Sequence, residues 1–418
     1  MKISVSPSKF KGSIIANPSK SVMQRAIALA ALSEGETNIF NFDSSNDTMA
    51  ALEVALAMGC SLEHYKDRIN IINSNNSKKL ASAIWNVGES GLSTRMFSPV
   101  AGLFDQDVTI TGERSLLKRP MNSLIEGLTK LGLKVKHNNF HLPLEINGKI
   151  SNFNLDLDLS SGSQVLTGLL IALSMTRKDS TIKVRNLASK PYIDLTLELL
   201  KDFGIEIINE NYEVFHIAGN QKLERQEYFV EGDWSGAAFH LVGGAISGNA
   251  IISNLNSNSK QADRAILSVL EQVGAIVSTD YNSIKVKKNK LNPFNFDATD
   301  CPDLFPPLAV LAANCNDVCK IKGIHRLTHK ESNRFLTLQQ EFSKCGIKIN
   351  SANDYMIIEP GNANEAVTDS HNDHRIAMSM ATLGITANGK ITIENAECIN
   401  KSYPNYFNDY VKLGGNIN

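Results

Sequence analysis

A chain of 418 residues is long for one core, and at about 150 residues per domain it implies two or three. Hydrophobic residues make up 42%, charged residues 20% and the formal charge is -1, the profile of a soluble globular protein. That balance excludes a bulk basic field for nucleic acid or an anionic membrane, so any anion must be held by local clusters of cations.

The opening residues contain no apolar stretch of signal-peptide length, and the longest apolar runs fall far short of the roughly 20 residues that span a bilayer. Six scattered cysteines form no disulfide framework and fit a reducing, cytoplasmic setting. From Ser19 onward one pattern recurs. A small-residue, apolar segment of helical character opens at Ser19, Glu89, Gly162, Gly232, Pro302 and Asp373, in five steps of 70 to 73 residues. Each is followed by a β-type stretch, at residues 37–40, 107–110, 180–184, 250–252, 319–321 and 390–393. A second helical segment then closes at Gly59, Gly132, Gly204, Gly274, Gly346 or Gly414, where a left-handed residue ends a helix. A final strand follows in most repeats. The predicted repeat is helix, strand, helix, strand, six times over. An α/β domain whose alternation only looks periodic is the alternative, but helix starts and closing glycines keep one period independently.

The first repeat opens Asn17-Pro18-Ser19-Lys20-Ser21, with Arg25 one turn after Ser21 on the same helical face. A helix N-terminus offers free N–H groups and a positive dipole end, both suited to an anion. Taken alone, the segment reads equally as a capped helix with solvated cations. The fifth repeat adds Lys330-Glu331-Ser332-Asn333-Arg334, and the sixth begins Asn372-Asp373-His374-Arg375. Basic residues also stand in loops at Lys118-Arg119-Pro120 and Lys401-Ser402-Tyr403-Pro404. Cys315, Cys319, His325 and His329 have ligand chemistry, but the gap from Cys319 to His325 is too short for a zinc-finger arrangement.

At these motifs the chain resembles the 5-enolpyruvylshikimate-3-phosphate synthase family from end to end. The matching segments are Ser19-Lys20-Ser21 through Arg25, Thr111-Gly112-Glu113 through Arg119-Pro120, and Ser163-Gln164 with Leu166-Thr167. Ser189-Lys190-Pro191-Tyr192-Ile193-Asp194 is the most specific match. Pro302-Asp303, Lys330-Glu331 with Arg334, Asn372-Asp373-His374-Arg375 and Lys401 with Tyr403-Pro404 complete the set in order.

The resemblance implies a two-domain α/β enolpyruvyl transferase fold of six repeats, three per domain about a pseudo-threefold axis. The expected domains are residues 1–12 with 226–418, and 13–225, with the active site in the cleft. It implies transfer of the enolpyruvyl group of phosphoenolpyruvate to the 5-hydroxyl of shikimate 3-phosphate, releasing phosphate, by a cytoplasmic monomer. Lys20, Gly91, Arg119, Gln164, Arg334, Arg375 and Lys401 would then contact phosphoenolpyruvate. Shikimate 3-phosphate would lie against Lys20, Ser21, Arg25, Ser163, Gln164, Ser189, Tyr192, Asp303 and Lys330. Asp303 would accept the proton, Glu331 donate one and Lys20 assist. The chemistry calls for no metal or organic cofactor, because cations and helix termini supply the charge stabilisation.

Three positions depart from the family pattern: Glu89 stands for an amide, Gly162 for a serine and Arg326 for an asparagine. Glu89 beside an anion site needs a cation, and Lys401 or Arg95 is the expected partner. The UDP-N-acetylglucosamine enolpyruvyl transferases share the fold and donor. Their loop typically carries a cysteine, whereas residues 112–119 contain none. A non-catalytic anion-binding homologue is the other alternative, against which Asp303, Glu331 and Lys20 stand intact.

Overall fold

The computed structural model describes residues 1–74, 79–224 and 226–417. Twelve α-helices and twenty-four strands are present among them. Along the chain the helices are α1 Lys20–Leu32, α2 Asn46–Ala57, α3 Gly91–Ala101, α4 Asn122–Lys130, α5 Gln164–Ser174 and α6 Pro191–Asp202. There follow α7 Trp234–Ser247, α8 Ile266–Gln272, α9 Phe305–Ala313, α10 Arg334–Lys344, α11 His374–Gly384 and α12 Tyr406–Lys412.

The strands form six four-stranded sheets of one topology. In the repeat containing α5 and α6, strand Asn154–Asp158 runs parallel to Ser180–Arg185, which is antiparallel to Val214–Ile217, itself hairpinned to Ile207–Glu210. Five repeats are thus strand, helix, strand, helix, hairpin, and in the sixth Asn416–Ile417 pairs with Lys2–Ser6 in place of a hairpin. The sequence reading missed one strand ahead of each first helix and one arm of each hairpin. Some of these strands, such as Ile84–Asn86 and Glu227–Phe229, have three residues, too few to show a period-2 pattern. All six closing glycines lie at φ between 81° and 100°, the left-handed region in which an L side chain is strained.

By internal contacts the chain divides into two units, Met1–Asn17 with Glu231–Asn418, and Pro18–Val230, each with three sheets. These limits lie five residues beyond the expected 12/13 and 225/226, and strand pairing is the reason. Strand Lys11–Ile15 runs parallel to Asn249–Ser253, which ties residues 11–15 to the first unit. Strand Glu227–Phe229 runs parallel to Gly35–Phe40, which ties 227–229 to the second. Strand Lys2–Ser6 closes the sixth sheet against Ile391–Glu394.

Within each unit the first helices of the three repeats pack together: α7, α9 and α11 in one, α3 with α1 and with α5 in the other. They are buried on nearly every face, which is why their sequences are apolar and small all round. Gly168 on α5 permits the closest approach, since a Cβ there would lie 2.3 Å from the Arg95 carbonyl oxygen. The second helices are amphipathic covers; α4 buries Leu124, Ile125, Gly127 and Leu128 and presents Lys130 to solvent.

Candidate active site

In the 18–230 unit, Ser19 caps α1, its hydroxyl accepting from the Val22 N–H at 3.5 Å, and so fixes Lys20 as the first helical residue. Lys20 Nζ pairs with Asp47 Oδ2, at the start of α2, at 2.9 Å. Arg25, one turn on, is buried. Its Nη1 donates to the Ser21 carbonyl at 2.7 Å, its Nε to the Thr196 hydroxyl at 3.0 Å and its Nη2 to the Thr167 hydroxyl at 3.5 Å. Burial pushes this guanidinium down to about 10, with Tyr192 acting in the opposite sense. Ser189 is buried at φ +60°, just before α6, whose first residue is Pro191 and second is Tyr192. A serine in that region costs about 1–3 kcal/mol and persists where the surroundings impose it, as at ligand clamps.

Ser90 caps α3, and Gly91 is its first residue. A Cβ at Gly91 would lie 2.6 Å from Arg119 Nη1, so the absent side chain lets that guanidinium rest on the helix start. Arg95 donates to the Gly91 and Pro120 carbonyls at 3.1 and 3.3 Å and to Gln164 Oε1 at 3.5 Å. Burial first, and then neighbouring Arg119, push Arg95 down to about 9. Among the described residues, Arg25, Arg95 and Arg119 form no ion pair with a carboxylate. Arg25 is buried and Arg95 and Arg119 are half-buried, and guanidiniums so placed without a counter-charge make an arrangement that an anion completes. Ser163 is buried at the cap of α5 and makes no capping bond, and Gln164 follows it.

Glu89 does not meet Arg95. Its Oε1 lies 3.6 Å from Arg114 Nη1, and its Oε2 accepts the Ser115 hydroxyl at 2.9 Å. Arg95 is turned instead to Gln164 and Pro120. Glu89 thus ties the turn Arg114–Lys118, which leads into Arg119, to the start of α3. Next to Gly162, the Ser161 hydroxyl is turned to Ser123 at 3.2 Å.

The other unit holds a connected set of opposite charges. Asp303, on the turn Pro302–Leu304 ahead of α9, accepts Arg334 Nη1 at 2.6 Å and Lys330 Nζ at 3.4 Å on Oδ1, and Arg375 Nη2 at 3.0 Å on Oδ2. Burial opposes its charge, but Arg375, Lys330 and Arg334 together hold it well below the ordinary carboxylate range. Glu331 accepts Arg334 Nη2 at 2.5 Å and pairs with Lys401 Nζ at 3.5 Å. Asp373, the cap of α11, accepts Arg334 Nε at 2.8 Å and the Arg375 N–H at 3.0 Å. Burial works against the charges of Arg334 and Arg375, and their carboxylate partners nevertheless raise both. Burial lowers Lys330, with Asp303 opposing and Arg334 and the nearby Arg326 adding to the fall.

Asp303, Lys330, Glu331, Arg334, Arg375 and Lys401 therefore form one network. Gly91, Arg119 and Gln164 gather around Arg95 in the other unit, and Arg25 stands by Tyr192. The sequence reading did not place Arg95 or Asp373 in the site. Arg95 was findable, four residues after Gly91 and so on the same face of the helix start. Asp373 was findable as the residue that caps the helix of Arg375.

A fold of six repeats whose helix starts hold buried cations, with three carboxylates on one guanidinium, is that of an enzyme acting on anionic substrates. The EPSP synthase (3-phosphoshikimate 1-carboxyvinyltransferase) family model matches residues 5–410. A 3-phosphoshikimate 1-carboxyvinyltransferase of Clostridium novyi (strain NT) is 36% identical over 425 residues, covering 99% of this chain and 98% of that one. A relative of the same name in Clostridioides difficile (strain 630) is 34% identical, again over 99% and 98%. Among solved structures, an EPSP synthase from Acinetobacter baumannii superposes with a TM-score of 0.83 at 26% identity, covering 100% of this chain and 99% of that one. The class is that of the enolpyruvyl-transferring enzymes. The chain belongs to the EPSP synthase family, and its activity is 3-phosphoshikimate 1-carboxyvinyl transfer, a step of the shikimate pathway to aromatic compounds.

Proposed function

We propose that the transfer runs by addition and elimination, with Asp303 as base and Glu331 as acid. The 5-hydroxyl of shikimate 3-phosphate adds to C2 of phosphoenolpyruvate, its proton passing to Asp303 while the methylene carbon gains a proton from Glu331. The Glu331 carboxylate then takes back a methyl proton as phosphate is expelled with the proton held on Asp303, which regenerates the enol double bond. The observation that carries this reading is that Arg334 grips Asp303 and Glu331 at once, at 2.6 and 2.5 Å, which presents an acid and a base from one rigid fork. Arg119, Arg334, Arg375 and Lys401, with Lys20, Gly91 and Gln164, would take the phosphate and carboxylate of the donor. Arg25, Lys330 and Lys20, with Ser21, Ser163, Gln164 and Ser189, would hold shikimate 3-phosphate, with Tyr192 against its ring. The proposed setting is the cytoplasm and the proposed state a monomer.

Three measurements test it. Phosphate release must require both substrates. Arg25→Gln should raise the KM for shikimate 3-phosphate by about tenfold or more, since a charged hydrogen bond is worth about 1.5–3 kcal/mol, and should spare the KM for phosphoenolpyruvate. Equal effects on both constants would count against the assignment. Gly91→Ala tests the donor side. Its Cβ should push Arg119 off the α3 start and raise the KM for phosphoenolpyruvate about tenfold, equivalent to about 1.4 kcal/mol. An unchanged constant would remove Arg119 from donor binding.

A further inference from the structure

Asp263 is a buried acid that the reaction described above does not use. It sits on the turn Ala262–Ala265 ahead of α8 and is 1% exposed. Its Oδ2 accepts the hydroxyl of Ser235, near the start of α7. Its Oδ1 is buried without a hydrogen-bond partner among the described residues. The charges acting on it come from three other elements: Asp303 ahead of α9, Arg375 on α11 and Asp233 at the cap of α7. The Cys301 thiol also lies within its field.

The proton has one place to go. Asp303 takes Arg334, Arg375 and Lys330, whereas Asp263 has a single hydroxyl. Two neighbouring carboxylates in a dry interior do not both ionise readily, and the one without a cation keeps the proton. Burial first, and then the charge of Asp303, push Asp263 up to about 7. Arg375 gives Nη2 to Asp303, and its Nε is buried without a partner. An ionised Asp263 would offer that guanidinium a second anion.

We propose that Asp263 is a proton-holding positioning residue for the donor end of the site: neutral, it leaves Arg375 to grip phosphoenolpyruvate, and ionised, it competes for Arg375 and repels the donor. This rests on the reading that places phosphoenolpyruvate at Arg375. The donor's negative charge favours the neutral acid, so by linkage the neutral acid favours the donor. Donor binding then takes up a proton, and affinity falls as pH rises through the ionisation of Asp263, approaching about tenfold per pH unit.

The test is the KM for phosphoenolpyruvate from about pH 6 to about pH 9 in the wild-type enzyme, Asp263→Asn, Ser235→Ala and Arg375→Gln. The wild-type constant should climb on the alkaline side of neutrality by about tenfold per pH unit, and Asp263→Asn should lack that limb. Any limb from the lysines would remain in both proteins. Ser235→Ala, which removes the hydroxyl supporting the Asp263 charge, should move the limb to higher pH. It keeps the idea testable if Asp263→Asn does not fold. Infrared spectra at neutral pH should show a protonated carboxyl band that Asp263→Asn loses. Superimposed profiles for wild type and Asp263→Asn, with a raised KM in Arg375→Gln, would overturn the inference and leave the donor site standing. An unchanged KM in Arg375→Gln would overturn the donor site itself, and the inference with it.

Discussion

Asp303→Asn is expected to lower kcat about 10²- to 10⁴-fold in a folded enzyme, the range that general-base catalysis supplies. Asparagine preserves the volume and can still accept at one oxygen, but it cannot take the hydroxyl proton. The size of the loss follows from the setting. In the free site Arg334, Arg375 and Lys330 all draw on the Asp303 carboxylate and keep it a weak base. In the proposed role the anionic groups of the donor take up Arg334 and Arg375, which relaxes their pull and raises the basicity of Asp303 when the hydroxyl is in place. The amide gains nothing from that exchange. Circular dichroism and single-turnover phosphate release in the variant check the prediction. Near-normal turnover in a folded Asp303→Asn enzyme would take the base role away from this residue.

The six-fold repeat was legible because its two markers are local. A glycine at φ 81–100° after an amphipathic helix, such as Gly59 or Gly346, is demanded by the backbone of its own turn, wherever the helix packs. Buried first helices such as α5 announce themselves through unbroken apolar and small residues. The strand pairing of residues 11–15 and 227–229 was not legible, since each strand joins a partner far along the chain, and the boundaries shifted accordingly. The site divided in the same way. Arg334 and Arg375 stand at helix starts and Arg25 one turn into its helix, so they could be picked out by position, whereas the contact of Glu89 with Arg114 could not. That contact requires Arg114 to adopt φ +46° in the loop before Arg119, a feature of the folded loop that no spacing encodes. Asp263 carried no signal at all, because what singles it out is Ser235 on another helix and the cations of Asp303.

Acid should destabilise this fold through one histidine, and His240→Phe should remove that sensitivity. His240 lies on α7, fully buried, stacked on Tyr406 at 4.8 Å and edge-on to Tyr403 at 5.7 Å. Neither ring nitrogen has a hydrogen-bond partner among the described residues. Burial pushes its pKa from 6.5 down to about 4, with Asp409 acting weakly in the other direction. Asp409 is itself occupied by the Tyr403 hydroxyl at 2.8 Å and by Lys412 Nζ at 2.8 Å. Because the folded value is depressed, the unfolded chain binds the extra proton. The stability tied to neutral His240 is intact above 6.5 and is lost as pH falls from there to about 4. At about 1.4 kcal/mol per pH unit the full loss is about 3 kcal/mol. Phenylalanine fills the same aromatic slot, carries no proton and leaves no buried nitrogen unpaired. Urea unfolding should therefore give His240→Phe an advantage over wild type that grows by about 2–3 kcal/mol between about pH 7 and about pH 4.5. The His240 ring resonance, followed by NMR, should stay untitrated in the native protein down to about pH 5. Parallel stability curves for the two proteins, or a ring that titrates near its ordinary value, would show that the imidazole reaches water and would overturn the prediction.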